Sequence, residues 1–187
     1  GVRLQAGSRR NLSEDDAAAI GNEIPEVVVA APFMTGRGRV VAGNNNWSTT
    51  IAGITPDYMV AREWEVDEGE VLSIDHQKWA AKVVLIERTV AESLFGAESP
   101  LGKNIRIGNA PFTVIGLLRK KGQNASGQDQ DDVVMMPLST AKVRVLGRGL
   151  VKPRSVHAIL VKVYAHHVMA DAEREIRRLL RQRHRLL

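Results

Sequence analysis

Residues 80–122 read AAKVVLIERTVAESLFGAESPLGKNIRIGNAPFTVIGLLRKKG, and this stretch alone demands a mixed fold. Lys82–Glu87 holds a run of β-branched and aliphatic residues of the length expected for a buried strand. Thr89–Phe95 follows with helical spacing and stops at Gly96, a residue that closes a helix without a Cβ penalty. Lys103–Ile107 and Pro111–Leu118 are two further β runs, and Gly108-Asn109 between them is a hairpin signal. Beyond lies a polar loop, Lys120–Asp132.

Upstream, Ser13 followed by Asp16 before an alanine-rich stretch predicts a capped helix that runs to Ile24 and ends before Pro25. Val27–Met34, Arg39–Ala42 and Trp47–Thr55 read as three strands, separated by Gly36/Gly38 and by Asn44–Asn46. Thr55–Gly69 reads as a connection. Downstream, Val133–Met136 predicts a short strand. Ser139 or Thr140 starts a helix ending near Gly147, and Val156–Val163 gives another strand. The last element places Met169, Ala172, Ile176, Leu179 and Leu186 on one helical stripe. The expected fold class is α+β, with the two ends of the chain sharing one α/β layer and residues 64–148 inserted as a second unit.

The 187 residues carry a formal charge of +5 and no cysteine. Disulfides, thiolate metal sites and cysteine nucleophiles are thereby excluded. The charge is concentrated at one end: residues 173–187 hold six arginines against two glutamates, a net of +4, so the high isoelectric point reports one helix. No apolar run has the roughly 18 to 20 residues that span a bilayer. Gly1 in place of Met, together with an unpunctuated Arg/Leu helix at the other end, reads as a segment of a longer protein.

Motifs for chemistry are missing. None of the five histidines falls in a metal-binding i, i+4 pair, and His166 and His167, being adjacent, point apart. Asp129, Asp131 and Asp132 resemble the opening of a calcium loop, yet the central glycine and distal glutamate are absent, since Val133–Pro137 follow. A solvated loop or a polar partner surface suits them better. There is no GxSxG elbow and no phosphate-cradling loop, for Gly36-Arg37-Gly38 has no helix behind it. Arg37, Arg39 and the terminal arginines support a competing expectation, a free-standing protein binding nucleic acid or another acidic ligand, but no stacking aromatics interleave with them. Three Asn-X-Ser sequons, at Asn11, Asn46 and Asn124, carry no weight without a secretory route that uses them.

Three stretches carry a resemblance: NNNWSTTIAGITPDYMVAREWEVDEGE at 44–70, the 80–122 segment above, and QDQDDVVMMPLSTAKVRVLG at 128–147. Over roughly residues 12–164 they resemble the periplasmic core domain of MacB-type ABC transporter permeases, in the FtsX-like permease superfamily. The resemblance implies a domain between two transmembrane helices, on the periplasmic face of the inner membrane, without catalytic residues, cofactor, metal or nucleic acid. It implies two lobes, a Porter-like α/β lobe from residues 1–63 and 149–187 and an inserted Sabre-like lobe from 64–148. It further implies a homodimeric exporter of macrolides, peptides or lipid-linked cargo that works with a periplasmic adaptor and an outer-membrane exit duct. Related permeases release lipoproteins, which is the alternative cargo class. Gln123, Gln128, Asp129, Asp131 and Asp132 match the family's polar loop and are the expected partner contacts. Trp47, Pro56, Tyr58 and Trp64 are the expected lobe-junction residues.

Overall fold

The computed structural model describes residues 2–5, 12–121, 132–148 and 152–185. In chain order the elements are β1 (Val2–Gln5), α1 (Glu14–Glu23), β2 (Val27–Ala42), β3 (Asn45–Ile54), α2 (Pro56–Arg62), β4 (Val66–Gly69), α3 (Ile74–Lys78), β5 (Val83–Ile86), α4 (Arg88–Phe95), β6 (Asn104–Ile107), β7 (Ala110–Leu118), β8 (Val133–Pro137), α5 (Leu138–Arg144), β9 (Ala158–Val163) and α6 (Met169–Arg185). The fold is α+β. The chain divides into two compact units, Gly1–Met34 with Asp57–Glu63 and Gly149–Leu187, and Thr35–Pro56 with Trp64–Arg148.

In the first unit β9 is the middle strand, antiparallel to β1 (Val2 opposite Val161) and to the start of β2 (Ala30 opposite Val161, Pro32 opposite Ile159). Ile20 of α1, Ala31, Ile159 and Val161 of the sheet, and Ala172 and Ile176 of α6 are all fully enclosed. Burial of each large aliphatic side chain contributes about 1.5–3 kcal/mol. Helix α1 begins where the sequence asks it to. The Ser13 hydroxyl accepts from the Asp16 amide at 3.1 Å, and the Asp16 carboxylate accepts from the Ser13 amide at 3.0 Å, a reciprocal cap. Asp16 does more than cap. Only 1% exposed, it also takes Arg183 Nε at 2.8 Å and faces His184 Nε2 at 2.9 Å, so the first turn of α1 holds the last turns of α6.

The second unit is built on a six-stranded barrel. The latter part of β2 neighbours β3, and β3 lies parallel to β8 (Thr50 opposite Val133 through Ile54 opposite Pro137). β8 is antiparallel to β5 and β5 parallel to β7, while β6 pairs antiparallel with both β7 and β2 (Val40 opposite Ile107), closing the circuit. β4 extends the sheet from β7. Val40, Ile51, Val84, Ile86, Ile105, Val114, Val134 and Met136 form the core with Val90 and Leu94 of α4 and Ala141 of α5.

The structure departs from the sequence reading in several places. Val27–Ala42 is one 16-residue strand, not two. Gly36 and Gly38 do not turn the chain; they make room, because a Cβ at Gly38 would stand 2.7 Å from Ile51 and one at Gly36 2.7 Å from Leu146. The Thr55–Gly69 connection contains helix α2 and strand β4, and β1 and α3 were not anticipated. Thr35–Pro56, expected with the chain ends, groups with the second unit because β3 finds its partner in β8. The β6–β7 hairpin is as expected, with Gly108 at φ 62° in its turn.

Two substitutions test these contacts. Asp16→Ala removes the return half of the α1 capping box and releases Arg183 and His184, so limited trypsin digestion is expected to cut the end of α6 several-fold faster than in the parent. Gly53→Ala places a methyl 2.4 Å from the Ala141 Cβ, where α5 lies against β3. It is expected to lower stability by about 1–3 kcal/mol in urea unfolding, the usual cost of overpacking.

Candidate functional site

Of the polar-loop residues expected to meet a partner, Gln123, Gln128, Asp129 and Asp131 lie outside the described residues. Asp132 is described, and its carboxylate is turned to its own unit. Oδ1 accepts from the Trp47 indole Nε1 at 2.9 Å and from the Thr49 hydroxyl at 2.5 Å. Thr49 is wholly buried on β3, so its hydroxyl needs a partner there. Asp132 thus ties the end of the polar loop to β3, one residue before the parallel ladder starts at Thr50 and Val133. Trp47, expected at the lobe junction, is the other half of this tie and is half-buried.

The other expected junction residues separate between the units. Pro56 opens α2 and is the last residue of one piece of the second unit; Tyr58 belongs to the first unit, buried against Phe33 with ring centroids 5.0 Å apart. Trp64 is buried in the second unit, with the Lys121 ammonium 4.6 Å from its ring centre. The chain passes from one unit to the other at 34/35, 56/57, 63/64 and 148/149. Pro56 and Trp64 therefore stand at crossings, and Glu63 beside Trp64 takes a φ of 56°, the left-handed region that costs a residue with a Cβ.

Around the Asp132 tie, the second unit is braced by polar contacts that sequence reasoning did not find. The Asn45 amide donates to the Leu94 carbonyl at 2.9 Å, joining the start of β3 to α4. Gln77 joins α3 to α5: its side-chain oxygen accepts from the Ser139 amide at 3.0 Å and its amide group donates to the Ile54 carbonyl. Thr140, fully buried, donates to the Ala81 carbonyl at 2.7 Å. Arg37 and Arg39, read as possible anion ligands, are spent on β3: Arg37 on the Ser48 carbonyl and Thr50 hydroxyl, Arg39 on Asn46. His76 serves as the reciprocal cap of α3, its Nδ1 accepting from the Ser73 amide at 3.0 Å.

Surface ion pairs shift the ionisation of three groups. Arg119 is held above its ordinary value by a hydrogen bond to Asp67 and by the charges of Glu65 and Asp67. Arg154 is likewise raised by its hydrogen bond to Asp15, and Glu98 is lowered by its hydrogen bond to Lys103. Among the described residues no group of three His, Cys, Asp or Glu could hold a metal ion. No described helix is long and apolar enough to cross a membrane.

The family model of the MacB-like periplasmic core domain matches residues 1–179. The chain belongs to this family: it is a periplasmic domain of a MacB-type ABC transporter permease. Among its relatives, the macrolide export ATP-binding/permease protein MacB of Syntrophobacter fumaroxidans is 40% identical over 151 residues, 80% of this chain and 21% of that protein. The MacB of Bdellovibrio bacteriovorus is 33% identical over 186 residues, 100% of this chain and 28% of that protein. The chain therefore spans about a quarter of the length of these relatives.

Solved structures share the fold. The extracellular domain of the noncanonical ABC-type transporter YknZ from Gram-positive bacteria superposes with a TM-score of 0.79 at 19% identity, covering 98% of this chain and 95% of that one. The periplasmic region of MacB from Actinobacillus actinomycetemcomitans gives 0.78 at 24% identity, covering 97% and 82%.

Removing the Asp132 carboxylate strands the Thr49 hydroxyl inside the unit. Asp132→Ala is expected to cost about 1–3 kcal/mol in urea unfolding, with a red-shifted tryptophan emission as Trp47 loosens. Asp132→Asn, which keeps an acceptor oxygen, is expected to recover more than half of the loss.

Proposed function

We propose that this domain transmits the conformational change driven by cytoplasmic ATP hydrolysis to the periplasmic side of an exporter, and makes or breaks no bond itself. On this reading ATP is bound and hydrolysed in parts of the transporter outside this chain. Two copies would move against each other and against a periplasmic adaptor that leads to an outer-membrane exit duct. The cargo would be macrolides, the class named for the relatives, or else peptides or lipid-linked molecules.

The observation that carries the proposal is the family match over residues 1–179, joined to the construction of each unit as a braced body. Transmission needs stiff parts, because only a part that keeps its shape can present different contacts in two states. The barrel, tied by Asp132 and Gln77, and the sheet unit, tied by Asp16, suit that requirement. The sheet unit would be the Porter-like lobe and the barrel unit the Sabre-like lobe. Pro56 and Trp64 at the crossings, with Tyr58 and Trp47 anchored nearby in sequence, would set the stiffness of the junction. Gln123, Gln128, Asp129 and Asp131 would offer amides and carboxylates to a wet partner interface, with Asp132 anchoring them.

The test uses the full-length permease with its adaptor. Pro56→Gly combined with Glu63→Gly softens two crossings while leaving both cores untouched. The expected result is near-normal ATP hydrolysis with most adaptor-dependent macrolide export lost. Full export by the double variant, or defined ATP binding by the purified chain, would overturn the proposal.

A further inference from the structure

Helix α6 carries a basic stripe that its own fold does not use. Ala172 and Ile176 are fully buried, Leu179 and Leu180 are half-buried, and Arg183 and His184 turn to Asp16, so one face of the helix is docked. At 3.6 residues per turn, Arg174, Arg177, Arg178 and Arg181 fall within about 100° of arc on the opposite side, over roughly 10 Å of helix. All four are exposed. Arg174 pairs with Asp171, and Arg178 reaches Glu175 at 3.8 Å; both are surface pairs of the kind that contributes little. Arg177 and Arg181 make no ion pair among the described residues.

From this arrangement we infer that the outer face of α6 is a docking surface for the anionic phospholipid headgroups of the membrane in which the permease sits. The chemistry favours lipid over other polyanions. The domain belongs to a membrane-embedded permease, so a lipid surface is the polyanion that its setting supplies. Guanidinium groups pair bidentately with phosphate, and a row of them on a rigid rod matches a plane of phosphates. The apolar face, with Ala172 and Ile176, is already buried within its own unit, so the helix adsorbs by charge and does not insert. Such adsorption fixes one unit relative to the membrane plane, and it is screened by salt.

The experiment uses the full chain and sedimentation with vesicles of phosphatidylcholine alone or with about a third phosphatidylglycerol. Binding is expected only to the anionic vesicles, falling steeply as salt rises. Each arginine near such a surface contributes about fivefold, so R177Q/R178Q/R181Q is expected to weaken binding by roughly a hundredfold. Its melting temperature should be unchanged, since all three side chains are exposed. Arg119→Gln, which removes a cation from the other unit, serves as a control and should bind as the parent does. No binding to anionic vesicles at low salt, equal binding by the triple variant, or binding that ignores salt would overturn the inference. An acidic protein that binds the stripe while vesicles do not would overturn it as well. Because the readout is lipid binding, its failure leaves the transmission proposal standing, and failure of that proposal leaves this one testable.

Discussion

The Asp132 carboxylate, shared between the Trp47 indole and the buried Thr49 hydroxyl, sits where the second unit has to be closed. β3 and β8 are parallel, so no tight turn can set their register, and some contact outside the ladder has to. Asp132 is the residue before that ladder, and one oxygen on two donors fixes where β8 begins against β3. From β8 the pairing passes to β5, from β5 to β7, and through the β6–β7 hairpin back to β2. A slip of one residue at the start would turn the side chains of β8 to the wrong face, and Val134 and Met136 would leave the core.

The first unit uses the same physics at Asp16. A carboxylate out of water is costly unless it is surrounded by donors, and here a backbone amide, an arginine and a histidine supply them. In each unit a buried or half-buried carboxylate joins segments far apart in sequence: Asp16 to Arg183, Asp132 to Trp47. These ties add side-chain links between elements to the backbone pairing of the strands.

Local features were legible in the sequence, and features set by distant partners were not. The Ser13 cap, the α4 helix and the Gly108-Asn109 hairpin are decided by residues within one turn of each other, and all three formed as expected. Gly36 and Gly38 misled because glycine signals a turn from nearby, whereas here it answers to Ile51 and Leu146. Helix α3, five residues long, has no periodicity to read, and it is held by Gln77 reaching Ser139, 62 positions away. Asp16 was legible as a cap but not as the anchor of α6, since nothing near it hints at Arg183. Asp132 reads as part of a polar surface because its neighbours are polar; its contact with β3 is to a residue 83 positions earlier.

The central claim is that the barrel unit behaves as one stiff body. Native-state hydrogen exchange of the purified chain at low denaturant tests it most directly, by giving each strand amide its own opening free energy. The account predicts that the core amides of β3, β5, β7 and β8 open together, with one free energy equal to that of global unfolding of the unit. Independent, low-energy opening of β3 from β8, with β5 and β7 still protected, would contradict it.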